Sequence, residues 1–568
     1  MLYPLKAVHP HIIPEVDKWP IYQISKDRAS FVAELNEFSY NRMIRLHKAD
    51  ISAILAKTIY MEKIRSKRTP WKVDPPNEKQ YWSDLEKTYS KIQDAEDKEA
   101  QEDELLRRII NRYSEEITGS FNPKTFKFTR RFLTSFFKRL LNTAAGRNHR
   151  RIWGNRHQLQ DRIKVVGHVD KIRSLFEKGV IVVVPTHFSN LDSIMIGYAM
   201  DAVVGIPAFA YGAGLNLYDM ELVAYFINRL GAYKVDRRKK NPIYLECLKS
   251  MACYSLQKGV NNLFFPGGTR SRNGSIEKRL KLGLLGSVIE SQRIFIEEGS
   301  DKKIFIFPLV LDYHFVLEAK YLINNYLQSK GKEKYIKQKD QYKSYRKIMK
   351  FIWSIFSEKS EITLSIGQPM DVLGNPVDGE GNSLDSKGSH LDLKDYFTWA
   401  GEITPDLQRE TVYTKMLGDK ILESYYVNNV VLSSHLVAFA AFRILMKQYR
   451  DQSIFDIVNL PPDEFNVRIE VFYAVVNQLR KGLEEWESEE KIMLAEEIEL
   501  PIEDLVNDGI KNLGVYHPAK PLVINEEILS TNDIKLLYFY HNRLENYKLH
   551  RFINWEEAGI SPKVENTI

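Results

Sequence analysis

The chain has 568 residues, 44% of them hydrophobic and 27% charged, and carries a formal net charge of +7. This composition is typical of a globular protein with a sizeable core and excludes wholesale disorder. Its two cysteines, Cys247 and Cys253, exclude a disulfide framework and a Cys-x2-Cys zinc site, so we expect a reduced compartment and no metal.

Residues 1–155 predict a polar, helical N-terminal region. The first residues lack the basic and then apolar order of a secretory signal, so we expect none. No run of about 18 apolar residues occurs anywhere, which argues against a membrane-spanning helix. Between positions 77 and 116, lysines alternate with glutamates and large apolar residues are few, which predicts a solvated helical face.

An amphipathic basic helix is predicted within residues 121–151. Its apolar face contains Phe128, Phe132, Leu133, Phe136, Phe137, Leu140 and Ala144, and its basic side chains are Lys127, Arg131, Lys138 and Arg139. Such a helix can lie in a bilayer interface with its charges among anionic headgroups. The alternative is that the aromatic face packs against the rest of the protein.

Residues 156–395 predict an α/β domain, and its most informative segment runs from Val180 to Asp192. A continuous β-branched run ends at Pro185, as expected for a buried strand, and helical spacing resumes after Asp192, with Ser189 and Asn190 as candidate N-caps. His187 and Asp192 therefore share one strand-to-helix turn. The carboxylate can hold one imidazole nitrogen while the other takes a proton from an alcohol.

Three later apolar runs end in glycine, proline or arginine: residues 231–238, 261–274 and 304–311. This pattern is typical of ligand sites at the carboxyl ends of sheet strands. The His-x4-Asp spacing recurs at His390 and Asp395, but no strand precedes it, so we interpret that copy as unrelated. A turn-rich exposed loop over 374–388 and a helical C-terminal domain over 396–568 are predicted, and no internal repeat is visible.

The four ordered blocks resemble those of the glycerolipid acyltransferases, and in particular the large bacterial and mitochondrial glycerol-3-phosphate acyltransferases. The blocks are His187-x4-Asp192, Gly231-Ala-Tyr-Lys-Val-Asp-Arg237, Phe265-Pro-Gly-Gly-Thr-Arg270 and the apolar strand before Pro308. The resemblance implies an α/β core with a mostly parallel sheet between helical N- and C-terminal regions. Residues 362–371 look like the strand that closes the sheet, and 427–439 and 537–543 resemble C-terminal segments of the large enzymes.

One residue departs from the family pattern. Most members carry glutamate, implicated in positioning the acyl acceptor, where this chain has Gly267. The plastid glycerol-3-phosphate branch also lacks that glutamate and reads Pro-Ser-Gly-Gly-Arg-Asp-Arg. The departure therefore argues against lysophosphatidate as the acceptor more than it argues against activity.

The predicted roles follow from acyl-transfer chemistry. His187 is the general base and Asp192 fixes its tautomer, with no covalent nucleophile because Gly-x-Ser-x-Gly is absent. Backbone groups at the turn of Gly267, Gly268 and Thr269 bind the substrate and its oxyanion. Planar guanidinium groups pair with phosphate, so we assign the acceptor phosphate to three arginines and rank Arg238 and Lys281 below them as surface charges. The three are Arg237, Arg270 and Arg272.

The implied function is acylation of the sn-1 hydroxyl of glycerol 3-phosphate from acyl-CoA or acyl carrier protein, without a cofactor. Lysophosphatidate or dihydroxyacetone phosphate is the alternative acceptor, and a catalytically degenerate membrane-binding protein is the alternative of another class. We expect a peripheral protein on the cytoplasmic side of a membrane, attracted by anionic lipid. Nucleic acid is not an expected partner because the basic residues are scattered.

Overall fold

The computed structural model describes residues 9–144, 163–219, 221–330, 362–515 and 517–561. The predicted domain boundary at 155 and the end of the amphipathic segment, 145–151, lie outside the described residues. Side chains of residues 134–144 are also outside the description, so the structure does not place Phe136, Phe137 or Leu140 on a surface.

The N-terminal region is helical, as predicted. Its helices are α1 (Pro20–Lys26), α2 (Arg28–His47), α3 (Ile51–Arg68), α4 (Glu78–Ile92), α5 (Lys98–Ile117) and α6 (Pro123–Ala144). The segment 77–116 has the solvated face that was predicted, and a second face of it is buried. Trp82, Leu106 and Tyr113 are fully buried there, because the sparse apolar residues recur at helical spacing and gather on one side.

The first turns of α6 present two different environments. Phe126 packs against Trp19, with ring centroids 5.0 Å apart, and against Phe121 at 5.4 Å. Phe128 and Phe132 are instead 59% and 45% exposed. Within the described ranges, no helix has the length and apolar character needed to cross a bilayer.

One seven-stranded sheet forms the centre of the described structure, in the order β1-β7-β6-β2-β5-β3-β4. Its strands are β1 (Ile163–Gly167), β2 (Gly179–Pro185), β3 (Ala210–Gly214), β4 (Ala232–Val235), β5 (Asn262–Leu263), β6 (Lys303–Tyr313) and β7 (Ile362–Ile366). All neighbouring pairs are parallel except β6 and β7. The mostly parallel α/β core is therefore confirmed, although β1 and not β7 forms that edge of the sheet.

The helices that alternate with the strands along the chain cover both faces of the sheet. They are α7 (Val169–Phe176), α8 (Asp192–Ala199), α9 (Glu221–Ile227), α10 (Pro242–Gln257), α11 (Leu282–Glu297) and α12 (Ala319–Ser329). The strand residues Val180–Val184 are at most 4% exposed, as expected for a parallel strand covered on two faces. Because β2, β4, β5 and β6 run parallel, their carboxyl ends meet at one edge.

The stretch 371–391 contains a tandem repeat, so the absence of an internal repeat was a wrong prediction. Three seven-residue units begin at Asp371, Asp378 and Asp385. In each, the aspartate Oδ1 accepts hydrogen bonds of 2.8–2.9 Å from the backbone N–H groups two and four residues later. The glycine at the fourth position of each unit has a φ of +83° to +89°, which favours glycine.

The C-terminal region shares its core with the sheet. Its helices are α13 (Leu393–Phe397), α14 (Leu407–Val427), α15 (Ser433–Gln448), α16 (Ile454–Ile457), α17 (Ile469–Ser488), α18 (Ile502–Asn512) and α19 (Ile534–Glu545). One buried apolar cluster includes residues of both the sheet and these helices, from Ile163 to Ile560. The predicted boundary at 395 falls inside α13, and no division of the core accompanies it.

Candidate active site

His187 and Asp192 meet on the turn between β2 and α8. The imidazole Nδ1 lies 2.8 Å from Asp192 Oδ2. His187 Nε2 makes no hydrogen bond with any described residue, and the side chain is 16% exposed. The imidazole therefore has one nitrogen fixed by Asp192 and the other left for a substrate. Leu191 precedes the helix, so Ser189 and Asn190 are not the N-caps that we expected.

Asp192 is fully buried and held by more donors than the sequence indicated. Besides the imidazole, Oδ2 accepts the backbone N–H groups of Phe188 at 2.7 Å and Ser189 at 3.0 Å. Oδ1 accepts the hydroxyl of Tyr313 at 2.7 Å. Four groups bind this carboxylate and fix its orientation toward His187.

The loop after β5 forms one wall of the site. The ring of Phe265 stacks on His187 with centroids 4.1 Å apart and an interplanar angle of 25°. The backbone N–H of Ser271 donates to the carbonyl oxygen of His187 at 2.7 Å. Stacking and hydrogen bonding together restrict the imidazole to one orientation.

Arg270 is bound to a carboxylate that sequence reasoning missed. Its Nη1 lies 3.1 Å from Glu318 Oε1, and the same carboxylate accepts the N–H of Asn190 and the hydroxyl of Ser189, each at 3.0 Å. Glu318 is 3% exposed. Arg270 therefore lies directly beside the turn that holds His187 and Asp192, but part of its hydrogen-bonding capacity is already used.

Arg237 and Arg272 make no hydrogen bond or ion pair within the described part of the chain, unlike Arg270. Arg237 follows β4 at the same sheet edge, where desolvation and the nearby positive charge of Arg270 lower its pKa. Arg237 and Arg270 have fewer carboxylate partners than positive charges. The pair can therefore attract an anion. Arg272 is exposed on the loop after β5.

The glycine turn differs in detail from the prediction. The N–H of Gly268 donates to the carbonyl of Phe265 at 2.9 Å, so it is not available to an oxyanion in this conformation. Gly268 has a φ of +74°, and a Cβ there would lie 2.6 Å from Cδ and 3.0 Å from Nζ of Lys281. Lys281 thus places its ammonium group over this turn and is a better candidate than we had expected.

Arg238 is not a surface charge either. Its Nε lies 2.9 Å from Asp236 Oδ1, and Asp74 from the N-terminal region also binds its guanidinium group. The two carboxylates raise its pKa against the effect of desolvation. Arg238 therefore joins two parts of the chain, whereas its neighbour Arg237 remains open.

His390, in the second His-x4-Asp, is 67% exposed and lies 3.4 Å from Asp378, not beside Asp395.

Comparison with known proteins agrees with the motifs. The family model named Acyltransferase matches residues 147–312. The chain is similar to glycerol-3-phosphate acyltransferases of Alteromonas mediterranea (26% identical over 39% of this chain and 24% of that protein) and Pseudomonas fluorescens (25% over 38% and 24%). The protein of the same name from Pseudomonas savastanoi is 24% identical over 49% of this chain and 29% of its own.

These matches confirm the predicted resemblance and show that the chain contains an acyltransferase domain. The matched region spans about a quarter of the length of these relatives. The residues that the family model matches include His187, Asp192, the three arginines and the glycine turn, and they end within β6.

Proposed function

We propose that this protein transfers a fatty acyl group from acyl-CoA or acyl carrier protein to the sn-1 hydroxyl of glycerol 3-phosphate. The observation that supports this most directly is the His187 imidazole, fixed at Nδ1 by Asp192 and open at Nε2. A general base needs this arrangement. The relatives named glycerol-3-phosphate acyltransferase favour this acceptor.

The reaction then proceeds without a covalent enzyme intermediate. His187 Nε2 takes the proton of the acceptor hydroxyl as its oxygen attacks the thioester carbonyl carbon. The carbon–sulfur bond breaks when the tetrahedral intermediate collapses, and the departing thiolate takes the proton from the imidazolium. The buried carboxylate of Asp192 stabilises the imidazolium between these two steps.

The acceptor phosphate is assigned to the guanidinium groups at the sheet edge. Arg237 is the strongest candidate, because the described residues leave it unpaired and Arg270 lies close enough to lower its pKa. Bidentate pairing with phosphate oxygens would neutralise both charges and hold the glycerol hydroxyl near His187. Arg272 and Lys281 extend the same positive edge.

The test is release of free CoA from an acyl-CoA by the purified chain, measured with glycerol 3-phosphate, dihydroxyacetone phosphate and lysophosphatidate in parallel. We expect the highest kcat/KM with glycerol 3-phosphate, and a product acylated at sn-1. A preference for another acceptor would change the substrate assignment. If the protein binds vesicles but releases CoA with none of the three acceptors, the result would favour the catalytically degenerate binding protein.

We also propose a peripheral location at an anionic membrane surface. Phe128 and Phe132 are exposed on α6, and Phe128 stacks on Phe226 of α9 with centroids 6.2 Å apart. Tyr225 beside it is 48% exposed. Exposed aromatic residues flanked by Lys127 and Arg131 suit an interface with anionic headgroups, into which the acylated product must pass.

A further inference from the structure

The carboxyl group of Glu277 lies against the catalytic turn, although the chemistry described above gives it no role. Its Oε1 accepts the backbone N–H of His187 at 3.2 Å. Its Oε2 is enclosed and has no hydrogen-bond partner among the described residues. A buried carboxyl oxygen without a partner costs free energy, so its presence requires an explanation.

Glu277 fills the space beside Gly267. A Cβ on Gly267 would lie 2.9 Å from Oε1 and 3.0 Å from Cγ of Glu277. Any side chain at position 267 would therefore begin where this carboxyl group is located. The glycine at 267 and the glutamate at 277 are complementary, because the second occupies the volume that the first leaves.

The loop that contains Glu277 is attached at three points. Ser271 N–H donates to His187 O, and Lys281 N–H donates to Pro266 O, each at 2.7 Å. The Asn542 side chain on α19 donates to Asn273 O at 2.9 Å. The loop therefore leaves the turn, contacts α19 and returns to the turn, which fixes Glu277 at His187.

Burial is the largest influence on this carboxyl group. It raises the pKa of Glu277 to about 7, Arg543 opposes the rise and Asp192 adds to it. The group therefore costs stability where it lies, and groups of this kind are concentrated at functional sites.

We propose that Glu277 is a positioning residue for the general base, acting through the His187 N–H and taking the place that a side chain at 267 would otherwise fill. This inference rests on the proposed acyltransferase function. The hydrogen bond holds the backbone at the point where the turn presents the imidazole. Without it, His187 shifts relative to the acceptor hydroxyl, and small displacements of a catalytic group are costly in rate.

A matched pair of variants isolates this hydrogen bond. Glu277→Gln keeps the volume and the accepting oxygen, whereas Glu277→Leu keeps most of the volume and removes the acceptor. We expect Gln to retain kcat within about threefold and Leu to lose roughly 10- to 100-fold, with the acceptor KM little changed in both. Equal kcat values for the two variants, with both folded by thermal melting, would overturn the proposal.

Exchanging the two positions tests whether a carboxyl group supplied from position 267 can replace that of Glu277. Gly267→Glu alone should lower kcat, because its side chain collides with Glu277. In the Glu277→Ala background, the same change should restore much of the kcat that Glu277→Ala loses, since the volume is now vacant. A double variant no better than either single change would show that the carboxyl group does not act from this place.

The wild-type protein separates the two claims. If it transfers no acyl group to any of the three acceptors, the proposed function fails before Glu277 is tested. If it is active and Glu277→Leu retains wild-type kcat, only the inference about Glu277 is wrong.

Discussion

The guanidinium carbon of Arg543 lies 4.0 Å from the ring centroid of Phe188, the residue that follows His187. Arg543 belongs to α19, and its Nη2 also binds the carbonyl oxygen of Leu311 at 2.9 Å and the carboxylate of Asp312. A C-terminal helix thereby covers the turn that holds His187 and Asp192. The arrangement explains why the core continues across the predicted domain boundary.

Breaking this ion pair should destabilise the protein. Arg543→Met removes the partner of Asp312, a fully buried carboxyl group, and an uncompensated buried charge costs about 3–5 kcal/mol. We expect the free energy of unfolding in denaturant to fall by that amount. Adding Asp312→Asn should recover part of the loss, because the unpaired charge is then gone. No change in Arg543→Met would show that the pair is not formed.

The phosphate assignment predicts a selective effect at Arg237. Arg237→Ala should raise the KM for glycerol 3-phosphate roughly 10- to 100-fold, because a lost charge-assisted contact costs about 1.5–3 kcal/mol. The KM for acyl-CoA should change much less. Steady-state kinetics with each substrate varied in turn measures both.

Arg238 is the matched control for this experiment, since it is the next residue but is paired with Asp236 and Asp74. Arg238→Ala should lower the melting temperature with little selective effect on the acceptor KM. Equal increases of both KM values in Arg237→Ala would instead place Arg237 on the phosphates of CoA.

The features that could be predicted from sequence are local in the chain. The buried strand, the abrupt turn and the five-residue spacing of His187 and Asp192 lie within one short segment, so periodicity and turn chemistry were sufficient. Tyr313, Glu318 and Arg543 reach the same turn from more than 120 residues away. The sequence analysis marked the segment 537–543 that contains Arg543, but no local pattern shows that it contacts this turn. A tyrosine at the end of a strand or a glutamate after one is too common to mark Tyr313 or Glu318.

Two other differences have physical causes. The repeat in 371–391 was missed because only its aspartates and glycines recur, while the intervening side chains vary with exposure. Arg270 was predicted to bind phosphate and Arg238 to be a surface charge, but the sequence does not reveal that Glu318 already pairs with the first and Asp74 with the second. Binding residues therefore follow from geometry, and the sequence indicated only the candidates.

The membrane proposal predicts different results for the exposed and the packed phenylalanines of α6. Phe128→Asp together with Phe132→Asp should release the protein from anionic vesicles and lower its melting temperature less than Phe126→Asp does, because both side chains are largely exposed. Phe126→Asp should lower the melting temperature, since Phe126 packs on Trp19. Co-sedimentation with vesicles and thermal melting distinguish the cases. Retained vesicle binding by a folded double variant would exclude this surface.

The raised pKa of Glu277 predicts a pH-dependent cost. The pKa of this carboxyl group is about 7 in the folded protein and 4.5 as its ordinary value, so the native state binds the proton more tightly than the unfolded state. Wild-type stability therefore falls as the pH rises from about 4.5 to about 7. Glu277→Gln removes this titration and should gain on the order of 3 kcal/mol over wild type at pH 8 relative to pH 4. Denaturant unfolding at both pH values measures the difference. An equal difference in stability between Glu277→Gln and wild type at the two pH values would contradict the raised pKa. Glu277 interacts electrostatically with four neighbouring titratable or charged groups: Asp192, Arg543, Tyr425 and Tyr426.

The orienting role of Asp192 predicts a large loss of rate in a folded variant. Asp192→Asn retains one oxygen for the backbone donors, and the Tyr313 hydroxyl can turn to accept from the new amide. The native fold is therefore expected to persist while kcat falls roughly 100- to 10,000-fold, because the imidazolium loses its counter-charge and its tautomer is no longer fixed. Circular dichroism and steady-state kinetics check both parts. A kcat within threefold of wild type would mean that Asp192 only holds the turn.

The most direct test of the catalytic assignment is CoA release by His187→Ala with saturating acyl-CoA and glycerol 3-phosphate. The account predicts that acceptor-dependent release is lost while the melting temperature remains that of the wild type, because the imidazole is the only proposed base. His390→Ala, at the exposed second copy of the spacing, should retain wild-type activity in the same assay. Wild-type turnover by a folded His187→Ala protein would contradict the account.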